Sequence, residues 1–161
     1  ANTVLTLTMT VTGTLSCSSE TATAFYNIAV DSLPLAVISG SATICQNSYK
    51  QIIGAIARNG SVLWTHNGYG SITAANTLVP TYNAASTDAN GAVTLTMTVT
   101  GTTTCVNTSS ATYTIHVDPI PQAVTTGSTT ICENATYTLA YGEAEQQYGN
   151  VLWTHNGQGS I

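Results

Sequence analysis

The sequence repeats itself with a period near 88 residues, and this feature constrains the fold more than any other. The run TLTMTVTG occupies Thr6–Gly13 and recurs at Thr94–Gly101, 88 residues later. The run VLWTHNG occupies 62–68 and recurs at 151–157, 89 residues later. Single-residue differences of this kind are expected from insertions and deletions in surface loops. Self-similarity at a fixed period predicts a modular array in which each repeat is one structural unit.

The repeat divides the chain into one complete module and parts of two others. We expect residues 34–120 to form the complete module. Residues 1–33 then supply the last two strands of a preceding module, and residues 121–161 supply the first strands of a following one. The sequence is therefore interpreted as a window on a longer tandem array.

Each repeat carries the pattern of short β-strands. Apolar residues alternate with threonines over Ala92–Thr100, and the copy near the start of the chain alternates in the same way. A period of two places one side-chain face in a core and the other in solvent. No stretch has a sustained helical period. The predicted core residues are Trp64, Trp153, Leu95, Met97 and Val99.

The number and spacing of these strands predict an all-β fold built of immunoglobulin-like sandwiches. The predicted strands of the complete module are Leu35–Ser39 with Ala42–Cys45 (A), Tyr49–Ala57 (B), Ser61–Thr65 (C), Ser71–Thr73, Thr77–Tyr82, Ala92–Thr100 (F) and Thr112–Val117 (G). About seven short strands in one module of this size are typical of such sandwiches, which bury a tryptophan on strand C. An antibody domain has its disulfide between strands B and F. The cysteines of this chain do not lie on those strands, so the predicted fold is related to the antibody domain but differs from it.

Charge excludes several classes of partner. Only 6% of the residues are charged, and the net charge is −5 with two basic residues, Lys50 and Arg58. Two cations cannot form a phosphate-binding patch, which excludes nucleic acid and polybasic binding to anionic lipid. No apolar run approaches the ~20 residues of a membrane helix, so no membrane insertion is expected.

The four cysteines predict disulfides in an oxidising compartment, which places the protein outside the cell. They are Cys17, Cys45, Cys105 and Cys132. Three pairings remain open. Cys45 could pair with Cys105 inside the complete module. Alternatively, Cys45 could meet the equivalent of Cys105 in the following module, or the pairs could be Cys17–Cys45 and Cys105–Cys132.

No group of residues predicts catalysis or a cofactor. His66 and His155 each stand beside a tryptophan with no second ligand at metal-binding spacing, so they are interpreted as turn residues. His116 is expected to face solvent. Asp88 with its neighbouring Asn and Gly could form a calcium loop, but one carboxylate is few for a cation that prefers six to eight oxygens. A turn is the favoured interpretation, and we expect no enzyme activity.

The combined order of motifs resembles the PKD-like or immunoglobulin-like repeats of large Bacteroidetes surface adhesins. The resemblance rests on ATICQN, VLWTHNGYGSI, LVPTYN and the run DANGAVTLTMTVTGTTTC, and it covers the whole chain. Departures include Asn47 where the family has Gly. The resemblance implies export by the type IX route, a role in gliding or attachment, and no catalytic residues. Asp31-Ser32-Leu33 also resembles the O-glycosylation site of these organisms, which makes Ser32 a candidate.

Three further glycosylation candidates come from Asn-x-Ser/Thr sequons, at Asn59, Asn107 and Asn134. Two functions from different classes remain. The first is a structural segment of an extracellular filament or adhesin stalk, whose partners are neighbouring copies of the module. The second is an adhesive module that binds a surface glycan or protein through loops at one pole.

Overall fold

The structure, a computed structural model, describes residues 3–102 and 104–161 and is all-β, in agreement with the sequence pattern. The strands are β1 Thr3–Thr12, β2 Thr21–Val30, β3 Leu35–Val37, β4 Ser41–Cys45, β5 Tyr49–Gln51, β6 Ile56–Arg58, β7 Gly60–His66, β8 Ser71–Thr73, β9 Thr81–Asn83, β10 Gly91–Gly101, β11 Thr108–Asp118, β12 Gln122–Thr125 and β13 Ala144–Gln147. One-turn 3-10 helices lie at Leu15–Cys17 and Ser86–Asp88. Among these described residues, no helix has the length and apolarity needed to span a membrane.

The largest sheet has the strand order β4-β11-β10-β7. Strand β10 is antiparallel to both neighbours, with Met97 opposite Trp64 on β7 and Leu95 opposite Tyr113 on β11. Strand β4 joins the other edge of β11 in parallel. The alternation in β10 has the expected effect, since the odd-numbered apolar side chains from Val93 to Val99 are buried.

Smaller sheets supply the other side of the core. They are the pair β3-β6 and the three-stranded sheet β5-β9-β8. Strand β3 packs against β10 and β11. Buried residues of β3, β7, β9, β10 and β11, with Ile52 just after β5, form one hydrophobic cluster that includes Ala36, Trp64 and Tyr82. This arrangement of several sheets around one core is consistent with a β-sandwich.

Strand B of the prediction is wrong as one continuous element, because it is divided between two sheets. Its first part, β5, pairs with β9, and its second part, β6, pairs with β3. Gly54 between them has a φ of +85°, a conformation that breaks the pleat and that glycine adopts readily. The predicted strand Thr77–Tyr82 also begins later, at Thr81, because the Thr77 N–H closes a turn on the Ala74 carbonyl at 3.1 Å and Pro80 has no N–H for a strand ladder.

The hairpin β1-β2 forms a two-stranded sheet of its own. Its register places Leu7 opposite Tyr26, as β10 and β11 place Leu95 opposite Tyr113. Its apolar side chains nevertheless remain exposed. Met9 is 62% exposed, whereas its counterpart Met97 is 0% exposed. Repeated sequence therefore gives the same ladder but a different environment.

Residues 121–161 contain one short antiparallel ladder, β12-β13, with Gln122 opposite Gln147. The second VLWTHNG run does not form a strand. The prediction that Trp153 lies in a core is wrong for this chain, because Trp153 is 48% exposed whereas Trp64 is 2% exposed. Trp64 is covered because β7 pairs with β10, and Trp153 has no such neighbouring strand.

Candidate interaction surfaces

Asp88 is the one buried charged residue among those described, with 5% of its surface exposed. Its Oδ2 accepts hydrogen bonds from the Tyr82 hydroxyl at 2.7 Å and from the Ala85 N–H at 2.9 Å. Its Oδ1 accepts from the Tyr69 N–H at 2.7 Å. Burial acts to raise the pKa of Asp88, but the hydrogen bonds from Tyr69, Tyr82 and Ala85 together hold it below its ordinary value.

The Tyr82 hydroxyl completes this buried network, which we call the Tyr82–Asp88 clasp. Tyr82 is fully buried, and burial together with its hydrogen bond to Asp88 raises its pKa to about 12. The hydroxyl also accepts a hydrogen bond from the Gly70 N–H at 3.1 Å. The phenol therefore stays protonated and donates to a carboxylate that stays ionised, an arrangement that joins β9 to the turn before β10.

The clasp accounts for the glycines of the WTHNGYG motif. A Cβ on Gly68 would meet the Tyr82 hydroxyl and would lie 2.9 Å from Asp88 Oδ1. A Cβ on Gly70 would meet the Asn83 carbonyl and the Tyr82 hydroxyl. The sequence interpretation missed this clasp, although a tyrosine six residues before an aspartate, downstream of a Gly-x-Gly turn, was a usable signal.

The same contacts argue against the calcium loop. Both Asp88 oxygens already accept hydrogen bonds from protein donors. Across residues 3–102 and 104–161, no group of three His, Cys, Asp or Glu side chains lies close enough to hold a metal ion. The arrangement of Asp88 is that of a structural carboxylate within the module.

The prediction that His66 is a turn residue is wrong, because His66 is the last residue of β7. His66 is half-buried, and its ring contacts Tyr82 edge-on at 5.2 Å, while its Nδ1 is buried without a hydrogen-bond partner. His116 on β11 faces solvent, as expected. His155 is exposed, and its Nδ1 lies 3.1 Å from the Gly157 carbonyl. Their positions are those of turn and strand residues.

All four cysteines lie within the described residues, and none is paired. Cys45 ends β4 opposite Asp118, whereas Cys105 lies in the connection before β11. The 11 residues of β11 separate these two ends, a span of about 35 Å. A disulfide requires Cα atoms within about 7 Å, so the Cys45–Cys105 pairing is wrong.

The Cys17–Cys45 and Cys105–Cys132 pairs are likewise not formed. Pairing of Cys45 with a cysteine of a following module involves residues beyond this sequence and stays a prediction. Cys105 does lie at a junction, because its Sγ is 3.7 Å from the Asp31 carbonyl in the segment that precedes the complete module.

The glycosylation candidates differ in the solvent exposure and hydrogen bonding of their residues. The Asn59 amide donates to the Leu33 carbonyl at 2.9 Å. Asn107 and Asn134 are exposed. Ser32 is half-buried, and its N–H donates to the Asp31 side chain at 2.9 Å. Attachment of glycan at any of them stays a prediction.

The hairpin β1-β2 presents one continuous apolar face. The odd-numbered residues Leu5 to Val11 on β1 share this face with their cross-strand partners on β2, which include Tyr26 and Ile28. All of them are exposed. An isolated two-stranded hairpin is marginally stable in water, and a contiguous exposed apolar face marks an interaction surface. This surface is named the hairpin face.

The last twelve residues present a second apolar surface. The exposed fractions of Val151, Leu152 and Trp153 are 56%, 87% and 48%. The three side chains border a shallow groove beside β12-β13. Ala123 and Ala144 form its opposite wall. Residues 121–161, with this groove and the second VLWTHNG run, are named the tail segment.

No protein-family model and no curated protein matches this chain. The repeat, the ladders and the two apolar surfaces are therefore the features that bear on function.

Proposed function

We propose that the chain is a segment of tandem immunoglobulin-like or PKD-like modules that builds an extracellular filament or adhesin stalk, with no catalysis. The observation that carries the proposal is the recurrence of strand ladders at the sequence period. The pairing of Leu7 with Tyr26 in β1-β2 repeats the pairing of Leu95 with Tyr113 in β10-β11. The period therefore coincides with a unit of strand pairing.

A second ladder recurs in the same way. Strand β3 pairs with β6 through Leu35 opposite Arg58, and β12 pairs with β13 through Gln122 opposite Gln147. Leu35 and Gln122 are 87 residues apart, as Cys45 and Cys132 are in the repeated TIC motif. Arg58 and Gln147 are 89 residues apart, as Trp64 and Trp153 are. This agreement supports the tail segment as the first part of another module.

The segments that remain unpaired also fit this proposal. In the complete module, β4 pairs with β11 and β7 pairs with β10. The tail segment repeats β4 and β7 in sequence but contains no counterpart of β10 or β11. Gly157 and Gly159 repeat Gly68 and Gly70, yet a Cβ on either would meet nothing within 4 Å. The presence of glycine at these two positions is explained if the rest of a module surrounds them.

The junction before the complete module supports a stalk. The Leu33 carbonyl accepts a hydrogen bond from Asn59, and the Asp31 carbonyl lies against Cys105. Pro34 between them is buried. Proline restricts the backbone because its φ is fixed, and a short linker that is held on both sides resists bending. Successive modules would therefore be joined stiffly.

The alternative, an adhesive module with ligand-binding pole loops, has weaker support. A pole loop that binds a ligand needs accessible aromatic side chains, and the sequence offers four candidate tyrosines: Tyr69, Tyr82, Tyr141 and Tyr148. Tyr82 is buried in the clasp and is unavailable. Reproducible binding of the chain to a surface-glycan array would favour this alternative over a purely structural role.

The stalk proposal is tested on the native polypeptide. An antibody raised against the complete module should detect, after reduction and boiling, a product far larger than the 16.6 kDa of this sequence. Protease added to intact cells should remove that product, because a stalk lies outside the membrane. A product near 16.6 kDa, or one protected until the cells are lysed, would contradict the proposal.

A further inference from the structure

The carbonyl group at the end of each last strand has a cysteine-bearing segment beside it. Strand β11 ends at Asp118, whose carbonyl accepts a hydrogen bond from the Gln46 N–H at 2.8 Å. Cys45, the residue before Gln46, is the partner of Asp118 in the parallel ladder. Strand β2 ends one residue before Asp31, whose carbonyl oxygen lies 3.7 Å from the Sγ atom of Cys105. The two carbonyls are therefore contacted by different cysteine-bearing segments.

Asp31 and Asp118 occupy the same place in the repeat. The hairpins β1-β2 and β10-β11 have the same register, and each aspartate directly follows the last residue paired in its hairpin. In a tandem array, one such carbonyl is thus approached from two sides. The segment after β4 of its own module donates an N–H to it, as Gln46 does, and the next module brings a cysteine against it, as Cys105 does. A carbonyl oxygen has two lone pairs, so the two contacts are compatible.

We propose that a disulfide joins these two cysteines across every junction between modules, and we call it the junction staple. One member is the cysteine that ends β4, the strand cysteine, which is Cys45 with Cys132 as its repeat. The other lies between β10 and β11 and is called the loop cysteine, which is Cys105 with Cys17 as its repeat. Cys45 bonds to the loop cysteine of the following module, and Cys105 bonds to the strand cysteine of the preceding module. This inference rests on the tandem array proposed above.

The distances at the junction allow this bond. The Cα atom of Cys45 is two covalent bonds from the Gln46 nitrogen, so it lies within about 5 Å of the Asp118 oxygen. The sulfur of a loop cysteine lies 3.7 Å from the corresponding oxygen. Two cysteines that meet at one oxygen atom can bring their Cα atoms within the about 7 Å that a disulfide requires. Within one module, by contrast, the strand and loop cysteines are separated by the length of β11, about 35 Å.

The junction staple adds a second covalent connection between neighbouring modules. The first connection is the backbone at 31–34, where Pro34 is buried and the Leu33 carbonyl accepts a hydrogen bond from Asn59. Two separate connections restrict both bending and rotation, so an oxidised stalk is stiffer than a reduced one. The bond forms by thiol–disulfide exchange, in which a disulfide such as oxidised glutathione takes two electrons and two protons from the cysteines and leaves as two thiols.

The test uses the full chain with a copy of residues 73–120 appended after Ile161, which supplies the rest of the following module. Cys105→Ser in the original part ensures that the appended loop cysteine is identified by its own peptide. The protein is equilibrated with oxidised and reduced glutathione, digested without reduction and analysed by mass spectrometry. The Cys45 peptide should be joined to the appended loop-cysteine peptide at least tenfold more often than any other pair forms. Cys132, in the same module as the appended cysteine, is the internal control, and Cys45→Ser should leave the appended thiol free.

Hydrogen exchange of residues 151–155 in the same protein separates failure of the staple from failure of the tandem array. Protection of these residues shows that the following module has formed. If they are protected and Cys45 does not pair with the appended cysteine, or Cys132 pairs with it equally, the staple is wrong and the stalk proposal stands. If they exchange as fast as in the unextended chain, the tandem array is wrong and the staple is wrong with it.

The unextended chain gives an independent result. Neither of its junctions contains both a strand cysteine and the loop cysteine of the next module, so its four thiols should stay free in the same glutathione buffer at low protein concentration. Titration of thiols in the denatured, acid-quenched protein counts them. A disulfide between any two of the four cysteines would overturn the proposed pairing.

Discussion

The two tryptophans of the repeated motif allow a matched test of the packing. Trp64 is 2% exposed in the core, and its indole N–H donates to the Thr77 carbonyl at 3.0 Å. Replacing a buried aromatic residue of this size by alanine costs about 3–5 kcal/mol in the free energy of unfolding. A domain of this size has a total of about 5–15 kcal/mol, so Trp64→Ala should leave the module close to its unfolding threshold.

The control is Trp153→Ala, the same change in the same local sequence. Trp153 is 48% exposed and its segment pairs with no strand, so we expect a change within about 0.5 kcal/mol. Urea unfolding at low protein concentration, followed by far-ultraviolet circular dichroism, measures both variants. With a slope of about 1–3 kcal/mol per molar urea, Trp64→Ala should lower the midpoint by about 1–5 M. Equal midpoint shifts for the two variants, or none for Trp64→Ala, would refute the packing argument.

Three further predictions follow from the clasp and the cysteines. Asp88→Asn should destabilise the module by about 1–3 kcal/mol at neutral pH, because an amide cannot accept all three hydrogen bonds. Since the pKa of Asp88 is lowered on folding, the wild-type advantage over Asp88→Asn should be complete above the unfolded value of about 3.9 and be lost progressively as pH falls from there through the lower folded-state pKa. Gly70→Ala should cost about 1–3 kcal/mol through its clash with the Tyr82 hydroxyl and the Asn83 carbonyl, whereas Gly159→Ala, in open space, should not destabilise the chain. Non-reducing peptide mapping of the oxidised chain should find no Cys45–Cys105 peptide, and abundant Cys45–Cys105 product would contradict the strand arrangement.

Much of the fold could be predicted from local pattern. The alternation of apolar residues with threonine in β10 identified the buried face, and Trp64 lies on β7 as a strand-C tryptophan would. Both predictions depend on periodicity, which is local information that any strand of a two-faced sheet carries. The alternation of hydrophobic residues was therefore a sufficient guide to β7 and β10 of the complete module.

Burial of the repeated copies could not be predicted from the pattern. Met9 and Met97 stand in the same sequence, but only Met97 has β7 and the opposing sheets to cover it. Burial is a property of a whole module, and the alternating pattern describes only the strand. The prediction that Trp153 is buried in a core was wrong for the same reason.

The remaining differences come from side-chain and backbone detail. The division of strand B depends on the left-handed conformation of Gly54, which the apolar run around it conceals. The clasp depends on Tyr82 and Asp88 meeting across a turn, with both groups buried. Since an Asp in a polar turn is normally exposed, composition favoured a simple turn at this position.

The most direct measurement of the central proposal completes the following module in the same chain. A copy of residues 73–120 is appended after Ile161, which repeats Ile72, in a Trp64→Phe background so that Trp153 is the reporter. If the tail segment is the first part of a module, acrylamide quenching of Trp153 should fall to the level of Trp64 in the unextended chain, and the strand corresponding to β7 should become protected from hydrogen exchange. Quenching of Trp153 that is unchanged by the extension would contradict the tandem-module account.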